Sequence, residues 1–288
     1  MNLAAKVSDK ASIGTWSGAD EMRGMVDRFT TVSIVSHRQA SLVAQLLGDL
    51  ERVPADQFEV VLTLNVDEAL PFDTRQFSFP ITVIRNPVRK GFGANHNAAF
   101  AVARGRYFCV LNPDVRFEAN PFPALLECLN DRRVACVAPL VLNSSGAIED
   151  SARRFPTPFS ILAKVVSGRR QPDYRIGQET LSPDWVAGMF MLIPAGAFRQ
   201  LGGFDERYFL YYEDADLCAR FRRAGYEIQL CPAAQVVHDA RRQSHRNWRY
   251  LRWHLSSMTR FFLSRAYLLV MWSRLRHRAV SNRRGTAE

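Results

Sequence analysis

The chain has 288 residues, 47% of them hydrophobic, and a formal net charge of +10. That is enough for one large α/β domain with a sizeable core, or two small ones. Residues 241–288 hold 12 Arg and a single acid, a net of +11, and the rest of the chain is close to neutral at −1. This argues against nucleic-acid binding by the whole protein and turns attention to what the tail touches.

Residues 1–28 are polar, lack the apolar core of a signal peptide and read as a weakly ordered segment. No apolar run is long enough to cross a membrane: the strongest candidate, 266–272, is too short. The five cysteines form no C-x-x-C pair and sit mostly inside apolar runs, as expected of buried reduced thiols in a cytosolic protein.

A domain is expected over 29–240. Thr31–Ser36 is a short β-prone run, and Leu42, Leu46, Leu47 and Leu50 mark one face of a helix after it. Phe58–Asn65 and Ile81–Ile84 read as further strands. Gly91-Phe-Gly-Ala94 opens a helix to about Ala103, and Arg106–Leu111 is a strand ended by Asn112-Pro113-Asp114. A helix from about Pro121 and a strand over Val134–Ala138 follow. Residues 143–182 read as irregular, and Trp185–Ile193 as one strand. Ala195–Leu201 and Glu213–Ala224 are helices, the second stopped by Gly225. Tyr226–Leu230 and Gln235–Val237 are final strands, the last delivering His238.

Strands alternating with helices predict a mostly parallel, Rossmann-like sheet covered on both faces, with ligands outside the strands' carboxyl ends. Ser36, His37, Asn65, Asn86, Asn112 and Asp114 all fall at strand ends and are expected to line one edge. Asn-Pro-Asp alone is a turn signal, but Asp114 follows a buried strand, where an oxygen ligand suits Mg²⁺ or Mn²⁺. His238 could complete such a site, although a lone histidine is more often structural.

Glu213, Asp214 and Asp216 follow the aromatic run Phe209-Leu-Tyr-Tyr212. Acids in a first helical turn commonly cap it. An aromatic wall also desolvates a carboxylate and raises its basicity, which suits a general base; Asp214 ranks first and Glu213 second. Gly91 and Asn95 belong to a glycine-poor loop whose expected role is close approach of backbone to a ligand.

The order of these motifs resembles a family 2 glycosyltransferase with the GT-A fold, of the bacterial rhamnosyltransferase-like subgroup. The carriers are Val32–Ser36, Gly91–Asn97, Leu111–Val115, Trp185–Met191, Gly202–Glu206, Phe209–Leu217 and Val237-His238. The resemblance implies that Asn112-Pro-Asp114 replaces the family's D-x-D motif, with Asp114 bridging metal and diphosphate. It implies that Asp214 is the catalytic base, that His238 is a further metal ligand, and that Trp185 to Gly188 lies near donor sugar and acceptor. Leu64 stands where similar enzymes carry an Asp, and His37-Arg38 where they carry Tyr-Asn or similar; both positions belong to the nucleotide pocket.

The implied activity is inverting, metal-dependent transfer of a sugar from dTDP-rhamnose or a UDP-hexose. The implied acceptor is a saccharide, lipid-linked, of a cell-surface polysaccharide. The alternative is a nucleotide-, RNA- or membrane-binding module that kept the fold without the chemistry, for which the arginine-rich tail with Trp248, Tyr250 and Trp253 speaks. In the tail, Trp248, Leu251, Leu255, Met258, Phe262, Ala266 and Leu269 form one apolar stripe, whose first half is expected to pack on the domain. Its second half, from Tyr267 through Arg278, is expected to meet an anionic membrane surface at the cytoplasmic leaflet.

Overall fold

The computed structural model describes residues 29–167, 172–238 and 248–273. The expected weak order of 1–28, and Arg274, Arg276 and Arg278 of the tail, lie outside them.

The centre is an eight-stranded sheet ordered β3-β2-β1-β4-β9-β6-β10-β5. Its strands are β1 (Thr30–Ser36), β2 (Phe58–Leu64), β3 (Ile81–Arg85), β4 (Tyr107–Leu111), β5 (Val115–Arg116), β6 (Val134–Leu142), β9 (Phe190–Pro194) and β10 (Glu227–His238). The first four strands in this order run parallel, as does β6 with β10, while β9 and β5 enter antiparallel. A two-stranded ribbon pairs β7 (Ala152–Arg153) with β8 (Trp185–Val186).

Period-two alternation sends β4 residues to both sides of the sheet. Phe108 and Val110 join one apolar core, Cys109 and Leu111 the other, and all four are fully buried. Helices α1 (Ala40–Leu50), α2 (Phe92–Val102), α3 (Phe122–Cys128), α4 (Pro158–Ser167), α5 (Ala195–Gln200) and α6 (Glu213–Arg223) follow in chain order. Two buried acids tie the layers together. Glu59 accepts from Thr31 and Arg104, and Asp49 of α1 accepts from Arg116 Nε at 2.6 Å and Arg52 Nη1 at 2.7 Å.

Four expectations change. Residues 143–182 are not wholly irregular: they hold β7, too short to leave a period, and α4, whose apolar face is not on the core. Residues 185–193 form two strands, because Ala187-Gly188-Met189 leaves the ladder to bond Ser151, Asp214 and Asn112. The last two strands are one, β10, bulged between Cys231 and Gln235, where Pro232 offers no N–H.

The tail forms α7 (Trp248–Phe262) and, after a break at 263–264, a helix over 265–273, α8. Its packed side is not the expected stripe. Trp248, Leu251 and Leu255 are exposed, while Ser257 and Phe261 are buried. The cause is the aromatic segment before α6: Trp253 stacks on Phe209 at 4.7 Å, and Ser257 Oγ donates to the Leu210 carbonyl at 2.9 Å. In α8, Ala266, Tyr267 and Val270 are buried, so much of the surface expected to face a membrane is used in packing.

Candidate active site

Parallel register brings the strand ends level. Ser36 pairs with Leu64 and Leu64 with Arg85; Asn65 N then donates to the Ser36 carbonyl and Asn86 N to the Leu64 carbonyl. His37, Asn65, Asn86 and Asn112 thus follow the ends of four strands, as expected. Ser36, Asn65 and Asn95, expected to bind the donor, also make internal bonds. Ser36 is buried and its Oγ accepts from Gln39 N at 3.2 Å. Asn65 exchanges bonds with both backbone groups of Lys90, and Asn95 Nδ2 donates to the Gly91 carbonyl at 2.8 Å. Asn86 donates to both asparagines, so this amide chain holds the 86–91 loop rigid. Gly91 is needed because the backbone approaches closely, but the partner is the protein itself: a Cβ there would lie 2.7 Å from the Phe209 carbonyl oxygen.

Around this frame opens a pocket of about 580 Å³ lined by His37, Arg38, Asn65, Arg89, Lys90, Asn112 and Asp114. Burial and the neighbouring Arg89 and Arg38 hold the His37 pKa below its ordinary value, and its buried Nδ1 has no partner. Arg89 lies beside the stacked Phe209–Trp253 pair, 5.2 and 4.9 Å from the two ring centroids. Tyr250 of α7 completes the wall.

Asp114 Oδ2 lies 3.3 Å from His238 Nε2, as β5 and β10 pair through Val115 and His238. Glu149, which the sequence reading passed over, holds His238 Nδ1 at 2.9 Å. Burial lowers the His238 pKa, but the two carboxylates outweigh it and raise it to about 9. Asp114 Oδ1 is buried without a partner. Among the described residues no three His, Cys, Asp or Glu side chains form a metal cage. Asp114 and His238 nevertheless suit Mg²⁺ or Mn²⁺: an orphan carboxylate oxygen beside an imidazole whose far nitrogen is oriented by an acid, with other positions left to water and phosphate.

A second pocket, about 510 Å³, is lined by Arg153, Trp185, Tyr211, Tyr212, Glu213, Asp214 and His254. Tyr211 and Tyr212 adopt positive φ of 72° and 67°, a conformation costly for aromatic residues and found chiefly where function requires it. Tyr212 occupies the cap of α6 and makes no side-chain cap bond. Asp214 divides its two oxygens: Oδ1 accepts from Ala215 N in the first turn of the helix at 2.8 Å, and Oδ2 accepts from Gly188 N, outside the helix, at 2.9 Å. Burial raises the Asp214 pKa, and these two N–H groups oppose it. Glu213 is buried, its Oε2 has no partner, and burial and the Asp214 charge push its pKa well up. Both acids are thus pushed up by burial, but only Asp214 has backbone N–H groups that favour its charged form from two sides.

Trp185 and Gly188, expected among donor-binding residues, stand instead with Asp214. Asp205 and Asp216 are structural, bound to Arg207 at 2.6 Å and Arg220 at 2.7 Å. A wider groove of about 1230 Å³ along α7 is lined by several arginines, and its acids are these two paired ones.

One pocket at the carboxyl edge of a largely parallel sheet, with cations and a free carboxylate oxygen, and another holding the buried Glu213–Asp214 pair, suit a group-transfer enzyme. Residues 31–187, more than half of the chain, match the model of glycosyl transferase family 2. The chain belongs to this family and is a glycosyltransferase of the GT-A fold.

It is 28% identical over 250 residues to the rhamnosyltransferase WbbL of Escherichia coli (strain K12), covering 82% of this chain and 94% of that protein. It is 36% identical over 141 residues to the N-acetylglucosaminyl-diphospho-decaprenol L-rhamnosyltransferase of Mycobacterium tuberculosis (strain ATCC 25618 / H37Rv), covering 45% of each. Among solved structures it resembles GalNAc-T7 with UDP, GalNAc and Mn²⁺ (TM-score 0.59, 18% identity, 75% of this chain and 44% of that one). It also resembles the mannosyltransferase PcManGT from Pyrobaculum calidifontis with GDP-Man and Mn²⁺ (TM-score 0.55, 19% identity, 80% and 64%). These two likenesses concern the fold.

Proposed function

We propose that the protein transfers a hexose, rhamnose first among candidates, from a nucleoside-diphosphate sugar to a hydroxyl of a lipid-linked saccharide, with inversion. The carrying observation is the Asp214 carboxylate in its pocket, held by the Gly188 and Ala215 N–H groups beside the buried Glu213. Asp214 accepts the proton of the acceptor hydroxyl. The oxygen attacks the anomeric carbon on the face opposite the leaving group; the carbon–oxygen bond to the diphosphate breaks and its electron pair leaves with the phosphate. One displacement gives inversion through an oxocarbenium-like transition state.

The Asp114 pocket suits the donor. His37 offers a ring and an unpartnered nitrogen for the base, and Arg89 and Lys90 offer charge for the phosphates. Asp114 and His238 would hold Mg²⁺ or Mn²⁺, which when bound neutralises the departing diphosphate. Arg153 and Arg154 at the mouth of the Asp214 pocket suit an acceptor that carries phosphate.

The relatives' names support rhamnose and a lipid diphosphate. The acceptor would be met at the inner face of the cytoplasmic membrane, with the tail arginines attracted to anionic lipid. The test is transfer from dTDP-rhamnose to a lipid-diphospho-N-acetylglucosamine with Mn²⁺, and NMR of the product. Rhamnosylated product of inverted configuration supports the reading; retained configuration, or full turnover in excess chelator, refutes it.

A further inference from the structure

The apolar surface that faces solvent most openly is on α4, in the stretch the sequence left unassigned. Phe159, Leu162 and Val166 are 83%, 61% and 78% exposed. Their spacing of three and four puts them on one face. The helix itself is well started. Pro158 follows Thr157, whose Oγ1 accepts from Ser160 N at 3.0 Å while Ser160 Oγ accepts from Thr157 N at 2.8 Å, a reciprocal capping box.

So short a helix gains little from propensity alone and is normally stabilised by covering its apolar face. The other side of α4 is accounted for: Ser160 and Ile161 line the Asp214 pocket. At about 15 Å it is far too short to span a bilayer, but long enough to lie in an interface.

Two observations say what covers the exposed face. First, the sequence that carries α4 is net basic: 151–172 holds Arg153, Arg154, Lys164, Arg169 and Arg170, flanked by the acids Asp150 and Asp173. An exposed face of Phe159 and two aliphatic residues in a net basic stretch of sequence suits an anionic lipid surface. Second, α8 flanks the same pocket through Met271 and is tied to the start of α4. Tyr267 Oη donates to the Pro156 carbonyl at 3.0 Å, and Phe155 packs on Phe261. Of α8 and the turn before it, Leu263, Leu268 and Trp272 remain exposed.

From this we infer that α4 is a membrane-docking helix, laying Phe159, Leu162 and Val166 into the headgroup boundary of an anionic bilayer beside the mouth of the Asp214 pocket. It works with α8 and presents that pocket to acceptors held in the bilayer. The delivery role rests on the lipid-linked acceptor proposed above; the docking itself does not.

The test uses the full chain carrying Phe159→Asp and Val166→Asp, both at exposed positions outside the pockets, and vesicles of equal parts phosphatidylglycerol and phosphatidylcholine. Flotation at low salt should show the wild type bound and the double variant bound at least about tenfold less, with neutral vesicles binding neither. Turnover with a short-chain, water-soluble acceptor should stay within about twofold of wild type, and turnover with vesicle-borne acceptor should fall about tenfold or more.

Vesicle binding by the double variant equal to wild type overturns the inference, as does a wild type that ignores anionic vesicles. Unchanged vesicle binding with loss of a dimer in light scattering overturns it too, and assigns the face to a second copy of the chain. Loss of vesicle binding in the double variant, with no transfer to either acceptor by the wild type, supports α4 docking while the acceptor proposal fails.

Discussion

The Asp114 pocket and the Asp214 pocket share one short segment: Phe209 and Leu210 line the first, Tyr211 and Tyr212 the second. They are nevertheless built by different means. The first sits at the ends of parallel strands, its loops fixed by an amide chain through Asn65, Asn86 and Asn95. The second gathers side chains from β7, β8, α4, α6, α7 and α8 over more than a hundred residues. Strand ends place a ligand edge by topology, and any such sheet has one. A pocket made from loops and helices has to be held by specific bonds, such as Gly188 N to Asp214 and Tyr267 to Pro156.

The contrast is broken most sharply by the two carboxylates. Asp214→Asn should lower kcat about 10²- to 10⁴-fold in steady-state assays, with donor KM near wild type. Asp114→Asn should instead lose Mg²⁺- or Mn²⁺-dependent turnover and metal-dependent donor binding together, read by titration calorimetry. Equal effects of both variants on donor binding would erase the division between the pockets.

A middle-sized effect is expected where α7 reaches into the donor side. Trp253→Ala removes one of the two rings that Arg89 contacts and should weaken donor binding about 3- to 30-fold, the range of a cation–π contact, with kcat within about twofold. No change in donor KM would make α7 a packing helix alone.

A smaller effect separates the pockets by pH. His238 has its pKa raised from 6.5 to about 9, so its pairing with Asp114 and Glu149 stabilises the metal-free protein fully below 6.5 and is lost as pH rises through about 9. The melting temperature should fall across that window, and His238→Gln should remove the slope. Metal affinity should rise over the same range, as the cation competes with the proton. A flat melting profile in the wild type argues against the ion pair.

The smallest effect concerns Glu213. Its raised pKa means the folded state holds a proton that the unfolded chain releases, so stability falls as pH rises above the ordinary carboxylate range. Glu213→Gln should therefore raise the melting temperature at about pH 8 and leave it unchanged at about pH 4. A Gln variant that is destabilised at the higher pH would show that Glu213 is ionised in the fold.

The same difference in construction decides how much the sequence could reveal. Buried strands such as Phe108–Leu111 read as continuous apolar runs, and the residues after them fell at the ligand edge as expected. The Glu-Asp pair was legible because acids rarely follow aromatics without cause. Glu149 and Arg153 left no signal, since both lie in a stretch without period, in or near a two-residue strand. The stripe in the tail was misread because its most apolar face is not its packed one: Phe209 and Leu210 recruit Trp253 and Ser257, and only the fold brings them together. Gly91 is expected from sequence to approach a ligand closely, whereas the group that approaches it in the fold is the Phe209 backbone.

The most direct test of the account is the affinity of the Asp214→Asn protein for the nucleoside diphosphate with Mn²⁺, measured on the same preparation whose turnover is assayed. The account predicts binding indistinguishable from wild type and turnover reduced at least about 10²-fold. Binding lost along with turnover would place Asp214 in the donor site or in the fold, and turnover retained would remove it as the base.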